Sequence, residues 1–304
     1  MNLVAGSYEK FIWGFKVKTG ETPTLKTIFS YPSHLSTIRC VSVSGPVAVS
    51  GGTDDAIKIY DLNNSSEIGS LMDYAGTVNT LCFYNPSSLS YPRNLLSGFD
   101  DGTVHIYEVD PFVLLKTVKI HKKGVNDLGI HPSGKLALTV GRDSCLAMLN
   151  LVRGRRSFCC RLDKEASIVK YNSEGDKFFM VKEEKVSVHD SEDAKSVFEM
   201  ESQKRVLCIA PTSNGLLFTG GEDRNVTAWD TASGNVAFSI GDAHSARVKG
   251  IVVLKNKNDG SDSHLLATAS SDGVIRVWDR RNMGEEKPNP LTEVNTKSRL
   301  TCLA

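Results

Sequence analysis

One pattern of twelve residues recurs seven times in this chain, and it constrains the fold more than any other feature. Its clearest copies are SGGTDDAIKIYD at 50–61, TGGEDRNVTAWD at 219–230 and TASSDGVIRVWD at 268–279. SGFDDGTVHIYE at 97–108 and TVGRDSCLAMLN at 139–150 follow the same order, with weaker copies in AGSYEKFIWGFK at 5–16 and FMVKEEKVSVHD at 179–190. The windows end 40 to 49 residues apart, the spacing of a repeating four-stranded unit. A unit of that size cannot bury its own apolar faces, so the copies must pack on one another.

Each window has the same grammar. The fifth position is acidic throughout, as Glu9, Asp54, Asp101, Asp143, Glu183, Asp223 and Asp272. Gly, Asp, Ser and Asn crowd around it, which are the residues of a tight hairpin, and an acid there accepts hydrogen bonds from turn amides. We therefore assign Asp54, Asp101, Asp143 and Asp223 structural roles in the turns. A period-two strand follows, such as Val274-Ile275-Arg276-Val277-Trp278. Another short strand precedes six of the windows, at 38–43, 78–83, 125–130, 167–171, 206–210 and 248–253. The window at 5–16 has none before it, and the missing strand is expected at 299–303, pairing with 3–7. That overlap closes the array into a ring and removes the free sheet edges that an open stack exposes. The predicted fold is all-β: one seven-bladed β-propeller over 1–304, with blade 7 shared between 1–33 and 298–304.

This closure resembles that of WD40 propellers, and two windows end in the dipeptide that names them, Trp229-Asp230 and Trp278-Asp279. The resemblance implies a buried hydrogen-bonded tetrad in a well-formed blade. Blade 6 matches it best, with His244, Ser270, Asp272 and Trp278. In blades 1 and 3, His34 and His121 occupy the matching place, while Tyr60 and Leu149 replace the tryptophan. Histidines spread over separate blades read as bonded within their own blade rather than as ligands of one metal.

Nothing in the sequence assembles an active site. GIHPSGKL at 129–136 matches GxxxxGK, but Leu136 replaces the Ser or Thr, and a strand follows where a phosphate loop needs a helix N-terminus. There is no GxSxG, no HExxH and no Cys/His set with zinc spacing. We expect no catalytic residue, no metal, no cofactor and no small-molecule substrate. The seven cysteines form no CxxC pair, and with no leader peptide at the start they predict a reducing, intracellular compartment. Glu9 and Lys10 interrupt the apolar run at 3–17, so no membrane span is expected there. The 36 basic and 35 acidic residues nearly cancel, and any nucleic-acid role must rest on a local patch.

Because the strands alternate in direction, the loops of each blade fall on two opposite faces. One face gathers the turns between second and third strands and the loops leading into each blade, with Lys122, Lys123, Arg142, Arg224 and Arg247. The other carries VRGRR at 152–156, DRR at 279–281 with Arg280 and Arg281, and insertions at 84–93 and 255–264. Arg153, Arg155 and Arg156, with Arg161 nearby, form the densest basic run. Guanidinium forks suit phosphate or carboxylate, so RNA backbone and an acidic protein loop both fit as partners. The competing reading is a solvated loop balanced by Asp163 and Glu165.

Segment by segment, the chain resembles the WD40 proteins called PAK-interacting proteins. LVAGSYE at 3–9, HKKGVNDLGIHPSGKLALTVGRD at 121–143, NLVRGR at 150–155, ASSDGVIRVW at 269–278 and EVNTKSRLTCL at 293–303 carry the likeness, in order along the whole chain. ASSDGVIRVW alone is generic to WD40 repeats; the opening, the blade 3 stretch and the ending are more specific together. The yeast member of this family is a ribosome-assembly factor. The resemblance therefore implies a protein of the nucleus and nucleolus that helps mature the large ribosomal subunit. Its implied partners are assembly factors, large-subunit precursor particles and pre-rRNA. In animals the resemblance also implies binding to, and inhibition of, a p21-activated protein kinase. It implies a lysine-rich segment after the propeller, which residues 1–304 do not include.

Overall fold

The computed structural model describes residues 1–18, 23–72, 76–86, 89–256, 260–284 and 288–304. Strands dominate, and they group into seven four-stranded antiparallel sheets. Blade 1 runs Ile38–Ser44, Val47–Gly52, Ala56–Asp61 and Ser66–Met72, each strand pairing with the next. Blades 2 to 6 repeat that meander in chain order. Residues 87–88 and 257–259 of the two predicted insertions, and 19–22 of blade 7, lie outside the described residues. Among the described residues, no helix is long and apolar enough to cross a membrane.

Blade 7 is built from both ends of the chain, in the order Leu300–Leu303, Asn2–Ser7, Phe11–Lys18, Thr24–Pro32. Ala5 lies opposite Leu303 and Gly6 opposite Cys302, with a bulge before Ser7 and Leu300. Val4 and Ala304 exchange two backbone hydrogen bonds of 2.7 and 2.9 Å, and the Tyr8 amide donates to the Arg299 carbonyl at 2.8 Å. The predicted closure is therefore present. Around the centre, the first strand of each blade contacts that of the next in an unbroken cycle from blade 1 through blade 7 and back.

The core sits between blades, because both faces of each sheet are covered by a neighbour. Ile57 and Ile59 of blade 1 pack on Leu95, Phe99 and Tyr107 of blade 2, and Leu3 and Phe15 of blade 7 pack on Ala267 and Ile275 of blade 6. Four second-strand glycines set how closely the sheets approach. A Cβ on Gly6, Gly51, Gly98 or Gly220 would stand 2.4 to 2.8 Å from the β-branched residue that opens the next inner strand: Ile38, Val78, Val125 or Val248. Replacing Gly51 with Ala is expected to cost about 1–3 kcal/mol through overpacking, read as a lower urea midpoint. Gly69, beside which a Cβ meets nothing within 4 Å, supplies the neutral control.

Polar side chains on the inner strands tie blades together. The Asp127 carboxylate accepts from Thr80 Oγ1 at 2.8 Å and from the Val169 amide at 3.1 Å, so it joins blades 2, 3 and 4. Asn79 and Asn126 donate their amides to the Val125 and Ala166 carbonyls, and Thr301 donates to Ile38 across the closing seam. Burial raises the Asp127 pKa above the ordinary carboxylate value, although Lys170 and these hydrogen bonds oppose it.

The hairpins confirm the turn grammar with one exception. In six blades the residue after the acid is left-handed: Lys10, Asp55, Gly102, Ser144, Arg224 and Gly273 have φ between 53° and 90°. In those blades the second and third strands pair residues fourteen apart, as Val47 with Asp61 and Leu265 with Asp279. Blade 4 pairs Lys177 with Asp190, a hairpin one residue shorter. Glu183 therefore becomes the left-handed residue itself, at φ 56°, instead of the turn-holding acid. Its carboxylate meets Lys164 at the surface.

Candidate functional site

The buried networks come first, because they resemble catalytic chemistry most closely. In blade 1, His34 Nδ1 lies 2.9 Å from Asp54 Oδ1 and Nε2 lies 2.7 Å from Ser50 Oγ, which meets the Tyr60 hydroxyl at 2.7 Å. A carboxylate only accepts, so Nδ1–H faces Asp54 and the Ser50 hydroxyl donates to Nε2. Tyr60 thus does the work of the expected tryptophan. Blade 3 repeats the relay, with His121 2.9 Å from both Asp143 and Thr139.

Blade 6 corrects the predicted tetrad. Trp278 Nε1 donates to Thr268 Oγ1 at 2.9 Å, and His244 Nε2 lies 2.8 Å from the same hydroxyl. Thr268, not Ser270, is the hydroxyl member. Trp278 pairs across the strands with Leu266, and its indole reaches the diagonal neighbour two residues on; Ser270 lies a further two residues away. Ser270 Oγ instead accepts the Asp272 amide at 3.3 Å. The signal was present in the sequence: the first window position is Ser50, Ser97, Thr139, Thr219 or Thr268 in five of seven copies. Thr268→Val should leave Trp278 Nε1 and His244 Nε2 unpartnered and cost about 1–3 kcal/mol, whereas Ser270→Ala stays within about 1 kcal/mol. Equal melting temperatures for the two variants would contradict this assignment.

The acids divide by whether a buried histidine faces them. Burial alone raises a carboxyl pKa, yet Asp54 and Asp143 fall below the ordinary value, because His34 and the Leu35 amide hold one and the Lys122 amide and His121 hold the other. Asp272 also falls well below the carboxylate range. Burial opposes the shift there too; His244, with Nδ1 3.7 Å from the carboxylate, drives it first, followed by the Val274 amide and the Ser245 hydroxyl. Asp223 has no such histidine, and burial leaves its pKa raised despite the Asn225 amide. Asp101 serves its own turn, accepting from the amide and hydroxyl of Thr103 at 2.8 and 2.6 Å.

An Asp–His–hydroxyl relay has the connectivity of a nucleophile triad, but here it is sealed. Ser50, Thr139 and Thr268 have no exposed surface, so no substrate carbonyl can approach the oxygen. All seven cysteines are free thiols, and burial pushes Cys208 up to about 12 and Cys302 up to about 11, which makes them poor nucleophiles. No group of three or more His, Cys, Asp or Glu among the described residues is placed to hold a metal. GIHPSGKL forms the turn between Val125–Ile130 and Leu136–Gly141, with no helix behind it.

The predicted basic run does not stay together. Arg155 and Arg161 stand at opposite ends of the outer strand Arg155–Arg161 of blade 3, against Asn150 and Cys145. Arg155 and Arg156 point to opposite sides of that sheet, since successive side chains alternate. Arg156 Nη1 donates to the Ile120 carbonyl at 2.9 Å and so staples blade 3 to the connection from blade 2. Arg153 and Arg155 remain exposed on the face that carries the loops after the third strands, here the lower face and the opposite one the upper. There Lys116 of blade 2 crosses over Gly154 to the Arg153 carbonyl. On the same face, Arg281 forks onto Asp279 and Arg280 donates to the Ser263 carbonyl. On the upper face Lys122 and Lys123 are exposed, while Arg142 and Arg224 pair with Asp100 and Asp242 at 2.6 and 2.7 Å.

A closed ring of seven four-stranded blades, with the acid-bearing hairpins of blades 1 and 3 pinned by buried Asp–His–hydroxyl relays, defines a WD40 β-propeller. The WD domain, G-beta repeat family matches residues 25–61, 112–148, 194–230 and 240–279. Over its entire length the chain is 35% identical to a p21-activated protein kinase-interacting protein 1-like protein of Danio rerio, covering 80% of that protein. It is 33% identical to p21-activated protein kinase-interacting protein 1 of Homo sapiens, again over all of this chain and 76% of the human protein. It is 28% identical to Protein MAK11 of Saccharomyces cerevisiae, over 91% of this chain and 77% of the yeast protein. The chain belongs to the PAK-interacting protein family of WD40 propellers.

Proposed function

We propose that this chain is a non-catalytic docking scaffold that acts in assembly of the large ribosomal subunit, in the nucleolus. The observation that carries the non-catalytic part is the sealing of every Asp–His–hydroxyl relay beneath the blade surface. What remains accessible is loops and charged side chains on two faces, the equipment of a binding module. Ribosome assembly is supported by the family resemblance over the full chain, and Arg153 and Arg155 on the lower face offer exposed guanidinium for precursor particles or pre-rRNA. Sedimentation of the tagged protein from nuclear extract tests this reading. Migration with large-subunit precursors, lost on RNase treatment, is expected; a protein found only at the top of the gradient overturns it.

A second reading is favoured by the names of the animal relatives, which state interaction with a p21-activated protein kinase. In that role the propeller binds a kinase of this class and lowers its activity. Purified kinase that neither binds the chain nor changes its turnover removes it.

A further inference from the structure

We propose that the upper mouth of the central channel, on the sector formed by blades 5, 6, 7 and 1, docks a short acidic peptide segment of a partner protein. This deepens the docking-scaffold reading, on which it rests, by naming a surface and a partner chemistry. Every inner strand starts at the same end of the channel, so residues at those starts gather there although they are far apart in sequence. Arg205 directly precedes Val206–Pro211, Arg247 precedes Val248–Lys255, and Lys249 is the second residue of that strand. Arg299 precedes the closing strand, and Arg39 is the second residue of Ile38–Ser44. Four adjacent blades thus bring five cations to one arc.

Their charge is barely compensated. Among the described residues, the ion pairs of these five reduce to one, Arg247 with Glu222 at 3.8 Å. Glu9 is close by, but its carboxylate accepts the backbone amide of Arg299. The cations also crowd one another: burial first, then Arg247 and Arg299, depress the Lys249 pKa against the pull of Glu222. The opposite arc differs, since Asn79 and Asn126 hold its strand starts and donate to Asp100 and Glu165. At the strand starts a cationic arc thus faces amides and acids. Although Lys122, Lys123 and Lys170 are exposed on that side, Asp100 and Glu165 interrupt it, so the mouth does not offer the continuous basic track that a phosphodiester backbone follows. It suits a segment with carboxylates on one side, and Arg fork geometry favours that group. Exposed Tyr8, with the Arg299 guanidinium 5.4 Å over its ring, adds an aromatic contact at the same place. Tyr8 and Arg299 flank the two strands that close the ring, so a peptide lying across them braces the seam.

The test uses the full chain and a fluorescein-labelled peptide of alternating glutamate and alanine, with an oligouridine RNA of equal length alongside. Fluorescence anisotropy should show peptide binding that weakens at least tenfold in the double variant Lys249→Met, Arg299→Gln, and less than about twofold in Arg155→Gln on the lower face. The peptide should raise the melting temperature of the parent chain but not of the double variant. Should the double variant fold poorly, methylation of lysines on the parent chain gives an independent readout: peptide must protect Lys249 and leave Lys116 reactive. Undiminished binding by the folded double variant, absence of peptide binding, or tighter binding of RNA through the same residues overturns the proposal. A double variant that loses the peptide yet still migrates with precursor particles overturns only the link between this site and assembly, leaving the scaffold reading in place.

Discussion

Deleting residues 298–304 is expected to abolish cooperative folding of the whole ring at 37 °C (a physiological temperature), not merely to fray one end. The segment supplies three seam hydrogen bonds, between Val4 and Ala304 and from Tyr8 to Arg299, besides the one hydroxyl proton of Thr301 shared by the Gly6 and Ile38 carbonyls. At about 1 kcal/mol net each these four amount to roughly 4 kcal/mol. Fully buried Leu300 adds about 2 kcal/mol to the loss, since it packs against Leu3, Phe15, Ala269 and Ile275. The sum rivals the entire stability of an ordinary domain, about 5–15 kcal/mol. Removal also exposes the edge of Asn2–Ser7 and opens the interface between blades 7 and 1, where Val4 and Ile12 meet Ile38 and Tyr60. Circular dichroism on thermal and urea unfolding checks this; an unchanged melting temperature would contradict closure as the source of stability.

Asp54→Ala should be among the most damaging single turn substitutions, with Asp143→Ala, at about 2–5 kcal/mol, because it leaves two donors unsatisfied, the buried His34 Nδ1–H and the Leu35 amide. Asp101→Ala removes the bonds to Thr103 within its own turn and an exposed ion pair with Lys119 at 4.0 Å, and should cost about 1 kcal/mol. The same relays make the fold acid-labile in two stages. His34, His121 and His189 are held below the ordinary 6.5, chiefly by burial, so they stay neutral in the folded chain. As pH falls below about 6.5 the unfolded chain binds those protons first, and stability drops by up to about 1.4 kcal/mol per pH unit for each histidine until the lowered folded value is reached. The carboxylates act later. The stabilisation from depressed Asp54 and Asp143 is complete above the unfolded value of 3.8 and is lost as pH falls through their lower folded values. Melting temperature should therefore fall between about pH 7.5 and 5.5, before the depressed carboxylates of Asp54 and Asp143 titrate. A His34→Asn chain should show a shallower slope; identical slopes would refute the histidine assignment.

What was legible in the chain was whatever repeats locally. Hairpin residues, strand period and the acid at the fifth window position recur because each blade solves the same turn problem within about a dozen residues. The unmatched window at 5–16 announced the pairing of the two ends, since a closed ring leaves no strand over. Even the hydroxyl of the tetrad is written at the first window position, although Ser270 stands nearer the acid in sequence. Blade 4 was obscured by one missing hairpin residue, which moved Glu183 out of the role its spacing suggested.

Other features exist only once the ring is closed. Strand alternation scattered Arg153, Arg155, Arg156 and Arg161 to different sides and ends of blade 3, although they are neighbours in sequence. Conversely, Arg39, Arg205, Arg247, Lys249 and Arg299 are brought to one mouth from segments separated by up to most of the chain. The amino-acid sequence by itself determined the blade, its turn and its closing partner, because those rest on short-range backbone geometry and on period. Only the tertiary structure decided which charges meet, because neighbourhood across blades is set by radial packing of the sheets and not by distance along the chain.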